Sequence, residues 1–210
     1  LLTDVLIFAL FAVSLHFIMG PAGLYSFGHA AYFGLGAYAA GIFFLQGKMP
    51  MELALALAPL VAGLGALVFG WFCVRLSGVY SAMLTLAFAQ IAWSAAFQWD
   101  ALTGGSNGIV GIWPAPWLAS KTAYYFLTLL FCTLGIAFLW RAIYSPFGYA
   151  LRAGRDSPLR ADAIGIDVRA TQWAAFTIAG LAAGGSGALY AFSKGSISPE
   201  AMEIQRSVDG

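Results

Sequence analysis

Apolar residues in this chain fall into six long blocks, separated by short polar or glycine- and proline-containing stretches. The blocks run from about Val5 to Met19, Tyr25 to Leu45, Leu53 to Phe72, Val79 to Trp99, Thr122 to Trp140 and Thr171 to Phe192. A helix crosses a bilayer with roughly 20 consecutive apolar residues. Each block is near that length, so each predicts a spanning helix. Strands of a membrane barrel would be shorter and would alternate apolar with polar, which these blocks do not. Gly20, Pro21 and Gly23 break the chain between the first two blocks, and Pro59 inside the third predicts a kink. The expected fold is all-α: a polytopic transmembrane helix bundle of about six spans, forming one domain over residues 1–210. The chain starts at Leu1 inside an apolar run and ends at Gly210 in a polar one. It reads as a fragment, with further helices expected beyond both ends.

Small residues recur at helix-packing spacing. Ala30, Gly34, Ala37 and Gly41 form one stripe, Gly63, Ala66 and Gly70 a second, and Gly180, Gly184 and Gly187 a third. Such stripes let helix backbones approach closely, which predicts tight packing and no particular function.

Composition agrees with a membrane protein. Hydrophobic residues make up 61% of the chain and charged residues 9%, against about 25% charged in soluble domains. Five of the ten Lys and Arg residues lie between Arg141 and Arg169. Lys and Arg beside spans resist translocation, so this loop is expected to be cytoplasmic. Counting back, Arg75 is expected inside, and Lys48, Glu52 and the loop from Asp100 to Lys121 outside. Trp99, Trp113 and Trp117 then sit where interfacial aromatics belong.

Several chemistries are missing from the sequence. No span carries Lys, Arg, Asp or Glu near its centre, although ion-coupled carriers need such groups. That pattern suits an uncharged or zwitterionic solute, with energy supplied elsewhere. Lys48, Lys121 and Lys194 do not follow a phosphate-loop glycine pattern, so this chain is not expected to bind ATP or any other cofactor itself. Two histidines without acidic or cysteine companions predict no metal site. A net charge of +1 gives no basic field for nucleic acid. Cys73 and Cys132 read as small buried hydrophobes. Gly184-Gly185-Ser186-Gly187 fits the GxSG of intramembrane serine proteases, but His16 and His29 both precede it. Helix packing is the preferred reading of those four residues.

Polar groups inside a membrane are candidates for function by default. Gln90, Ser94 and Gln98 recur every four residues on one helix face, and Ser26 and His29 lie just after the glycine–proline break. A break puts a helix N-terminus at depth, where it favours a carboxylate. Ser26, His29, Gln90 and Ser94 are therefore the candidate solute pathway. Interhelical hydrogen bonding is the alternative for each.

These motifs resemble a known family. The run Gly23 to Tyr38, GLYSFGHAAYFGLGAY, closely resembles the signature of bacterial branched-chain amino acid ABC transporter permeases of the LivM type. Leu102 to Ile109 looks like that family's external glycine-rich loop. Phe147 to Ala153 followed by Arg155 to Asp167 looks like its cytoplasmic segment, and Gly187 to Ala191 matches the end of its next helix. Tyr149 stands where the family usually has Arg, Asp162 where it has Glu, and Gly154 where Ile is common. Further helices follow a segment like Ser198-Pro199-Glu200 in the family.

The resemblance implies a non-enzymatic permease subunit of an ATP-driven importer in the bacterial inner membrane. It implies as partners a second homologous permease, two cytoplasmic ATP-binding subunits, a periplasmic solute-binding protein and membrane lipid. The solute is a branched-chain or similar neutral amino acid. Relatives importing urea or short amides keep that alternative open. The cytoplasmic segment resembles a coupling helix that sits in an ATPase groove. Its own sequence suits a short helix: Ser157 to cap, Pro158 in the first turn, Leu159, Ala163 and Ile164 as an apolar face, Gly165 to stop. Arg155 and Arg160 are expected at the rim. The alternative for these arginines is orientation in the membrane alone.

Overall fold

The computed structural model describes residues 1–76, 78–114, 118 and 120–197. Trp117 and the Ser198-Pro199-Glu200 segment lie outside the described residues. Six helices carry the apolar blocks: α1 (Leu2–Met19), α2 (His29–Leu45), α3 (Met51–Cys73), α4 (Val79–Gln98), α6 (Lys121–Ile143) and α9 (Val168–Lys194). A short α5 (Asp100–Thr103) follows α4, and α7 (Pro146–Asp156) and α8 (Pro158–Ala163) lie between α6 and α9. Two residue pairs form a small antiparallel ribbon, β1 (Ile109–Val110) with β2 (Ser196–Ile197). The all-α polytopic bundle is as expected. Five of the helices, all but α2, are long and apolar enough to cross a membrane.

The second span is shorter than its apolar block. Its helix starts at His29 and has 17 residues, about 25 Å at 1.5 Å per residue. Tyr25 to Gly28 are not helical because the chain is held open there. Gly23 has φ 68°, Phe27 N–H donates to Thr85 Oγ1 at 3.2 Å, and a Cβ on Gly28 would overlap Thr85 O. A segment pinned to α4 in this way cannot also close a helical turn.

α9 forms the centre of the bundle, packed against α1, α2 and α3. Glycines permit this. A side chain on Gly180 would overlap Ala66, one on Gly184 would overlap Ala62, and one on Gly187 would overlap Phe33 O. The stripe on α9 thus packs helix to helix, as its spacing predicts. On α2 Gly36 approaches Gly184 O, and Ala37 of the expected stripe lies against Gly187. Gly34 is buried, while Gly41 meets the side chains of Ile112, Ile197 and Ile109 rather than a helix.

Helix ends group as alternating spans require. Ala22 to Leu24, Trp71 to Leu76, α8 and the start of α9 meet at one end, where the arginines collect. At the other end Lys194 pairs with Asp4 at 3.0 Å, Gln46 Nε2 donates to Leu102 O at 3.0 Å, and β1 pairs with β2. Trp99 and Trp113 are exposed at that second end.

Candidate functional site

Three features carry the candidate residues: the Arg-rich end, the α1–α2 break and the outer face of α4. At the Arg-rich end, α7 and α8 both open on a Ser-Pro pair, Ser145-Pro146 and Ser157-Pro158. Proline suits a first helical turn because its missing N–H would have no partner there. The expectation covers only the second pair; α7 is an additional helix whose sequence signal is Ser145-Pro146. The short helix beginning at Pro158 and the stop at Gly165, with φ 86°, follow the expectation. The cap does not. Ser157 makes no side-chain cap, and its Oγ accepts from Arg160 Nε at 3.0 Å.

Ala161 is buried and seats α8 on the rest of the chain. Leu159 and Ile164 are 87% and 75% exposed, with Ala163 exposed beside them. Beside α8 lies an open groove of about 1220 Å³, lined by Leu159 itself and by Gly23, Trp71, Arg75, Arg155 and Trp173 among others. Arg155 lines this groove and also reaches back to the membrane helices. Its Nη1 donates to Gly20 O at 2.7 Å, and its Nε and Nη2 hold Asp156 Oδ1 at 2.9 and 2.8 Å.

The break between α1 and α2 is stitched by other elements. Besides Arg155 on Gly20 O, Gln172 Nε2 donates to Ala22 O at 3.5 Å, and Thr85 Oγ1 accepts from Phe27 N–H. Just after it, Ser26 and His29 are 4% and 0% exposed. Ser14 Oγ lies 2.6 Å from Phe11 O and 2.8 Å from His29 Nε2. A hydroxyl has one proton. If it is given to Phe11 O, His29 Nε2 must be the donor to Ser14, which leaves Nδ1 as an acceptor. His29 Nδ1 and Ser26 Oγ are buried without a hydrogen-bond partner. Phe11 and Tyr32 hold the imidazole ring, with centroids 5.3 and 5.8 Å away.

α4 buries Ala82, Thr85, Ala89, Ala92 and Ala96 against the bundle. Gln90 is exposed on its outer side, with Ser94 half-buried and accepting from Gln98 Nε2 at 2.7 Å. The four pathway candidates therefore do not share one face. Ser26 and His29 point into the chain's own core, and Gln90 points away from it. Ser14, Thr85 and Gln172, missed in the sequence, complete the inner cluster. None of the three belongs to a spaced polar pattern that would single it out in the sequence. Ser186 is fully buried and donates to Ala183 O in its own helix at 2.7 Å, as a packing serine does.

The family described as "Branched-chain amino acid transport system / permease component" matches residues 1–210. The chain belongs to this permease family. Two curated relatives agree. The high-affinity branched-chain amino acid transport system permease protein LivM of Escherichia coli (strain K12) is 27% identical over 233 residues, covering 98% of this chain and 55% of the relative. The LivM protein of Salmonella typhimurium is 26% identical over the same shares. The chain thus spans about half the length of the curated relatives it matches. No solved structure matches it. Family membership and five membrane-capable helices make the chain part of a multi-pass membrane transport component.

Proposed function

We propose that this chain is the permease subunit of an ATP-driven importer for branched-chain or similar neutral amino acids in a bacterial inner membrane. α8 docks into a groove of a cytoplasmic ATP-binding subunit, two of which power the cycle. A periplasmic solute-binding protein delivers the solute at the opposite end. The solute passes along the outer face of α4, between this chain and a second homologous permease.

One observation carries the reading: α8 exposes Leu159, and Ile164 just past its end, while burying Ala161 behind them. An exposed Leu–Ile pair on a short helix is a protein-docking feature when it stands proud of the fold. Arg160 beside it sets approach more than affinity. Burial of a leucine side chain is worth about 1.5–3 kcal/mol, and an Asp in its place adds a desolvation cost. In the reconstituted complex Leu159→Asp abolishes stimulation of ATP hydrolysis by liganded binding protein, while Arg160→Ala lowers it mildly. Wild-type stimulation in Leu159→Asp refutes the docking. The solute is identified by testing leucine and urea separately as the ligand that makes the binding protein stimulatory; stimulation by urea alone replaces the amino acid reading.

A further inference from the structure

The chain between α1 and α2 cannot satisfy its own backbone. Gly20 to Gly28 interrupts the helical ladder, and three side chains from distant elements supply partners to it: Arg155 from α7, Gln172 from α9 and Thr85 from α4. Of these, only Arg155 belongs to the segment that carries α8. Its bond to Gly20 O is short at 2.7 Å, whereas that of Gln172 to Ala22 O is 3.5 Å. A guanidinium donor also makes the stronger class of hydrogen bond.

The position of Arg155 is set from two sides. Asp156 holds the guanidinium through Nε and Nη2. Its aliphatic stem lies on Gly23, where any side chain would overlap Arg155 Cγ. Gly23 has φ 68°, so both its conformation and its missing Cβ are needed for this contact. α7 and α8 are joined through Ser157 alone, whose N–H donates to Ala153 O and whose O accepts from Ala161 N–H, each at 3.0 Å. A shift of α8 therefore carries α7 and Arg155 with it. From Gly23 the chain reaches Ser26 in three residues and His29 in six.

We propose that Arg155 is a positioning residue that ties the α7–α8 unit to the unwound start of α2, so that displacement of α8 reaches the buried Ser26 and His29 through Gly20 to Gly28. This deepens the docking reading of α8 and rests on it. Arg155 touches no solute. It makes the break follow the cytoplasmic unit instead of the membrane helices alone.

The test is hydrogen exchange on the intact transporter complex, with and without a nonhydrolysable ATP analogue, following peptides over residues 20–28 and 157–165. In the wild type both peptides change on nucleotide binding. In Arg155→Ala the change at 157–165 persists and the change at 20–28 is lost. Gly23→Ala, which displaces the stem from the opposite side, gives the same loss. Arg155→Lys keeps a single donor and retains part of the response; it decides the matter if Arg155→Ala does not assemble. A wild-type response at 20–28 in all three variants overturns the tether. So does a wild type in which 157–165 responds and 20–28 does not. A wild type in which 157–165 itself is silent overturns the docking of α8, and the tether with it.

Discussion

α4 and α6 both stand at the outside of the bundle, and their outer faces differ. α6 shows Phe126, Leu130, Leu134 and Phe138, a strip that is apolar apart from the exposed Thr133 beside Leu134. α4 shows Gln90 and Gln98, with Ser94 between them, among Met83, Ile91 and Phe97. Lipid tails offer no hydrogen bonds, so the α6 strip suits lipid and the α4 stripe does not. The difference marks the α4 face, rather than that of α6, as the one the proposed second permease would cover. A helix that leaves two glutamines uncovered within its own fold needs a partner or a water-filled path beside them.

The comparison breaks most readily by charge. Arg at the centre of a spanning helix costs about 3 kcal/mol relative to an apolar residue on insertion scales. Leu130→Arg should therefore remove most of the protein from the membrane fraction, measured by immunoblot. Arg at Gln90, beside a wet or protein-covered face, should accumulate to a clearly higher level. Equal loss at both positions would put α4 against lipid as well.

A milder change separates transport from folding. Gln90→Leu should leave assembly intact while uptake falls up to about tenfold, the value of one lost hydrogen bond. Leu130→Ala should leave uptake per assembled complex near wild type. Radiolabelled uptake normalised to purified complex reads both.

Proximity sharpens the contrast further. A cysteine replacing Ala87 on α4 should cross-link to the second permease subunit under oxidation. One replacing Leu134 on α6 should not. Reversal of that pattern would move the subunit boundary to α6.

The smallest effect is expected at Gln98. Its amide donates to Ser94 at an exposed position near the end of α4. Gln98→Ala should change stability by no more than about 0.5 kcal/mol, seen as a nearly unshifted thermal midpoint of the purified complex. A larger loss would mean that the Ser94–Gln98 pair is itself packed against a partner.

Much of the fold is legible in the sequence. The helices lie where the apolar blocks are, and the small-residue stripe on α9 packs as its spacing indicates. Pro158 begins α8 and Gly165 follows its end, both from turn chemistry. The candidate site was read less well. Ser26 and His29 were grouped with Gln90 and Ser94, yet the first pair is inside and Gln90 is outside. Arg155 is expected at a rim, and nothing in the local pattern signals its bond to Gly20 O. α7 went unnoticed despite its Ser-Pro start.

The sequence by itself determined the membrane class, the number of apolar helices, the collection of arginines at one end and the family, because these depend on composition and on local order. Only the tertiary structure decided which way each polar side chain faces. A helix that is apolar all round carries no periodic signal to mark its inner side. The direction of Gln90 is then set by the alanines that α4 buries, and that of His29 by Ser14 on the neighbouring helix. The same holds for Arg155, since its partner at Gly20 is 135 residues away and no local rule connects them.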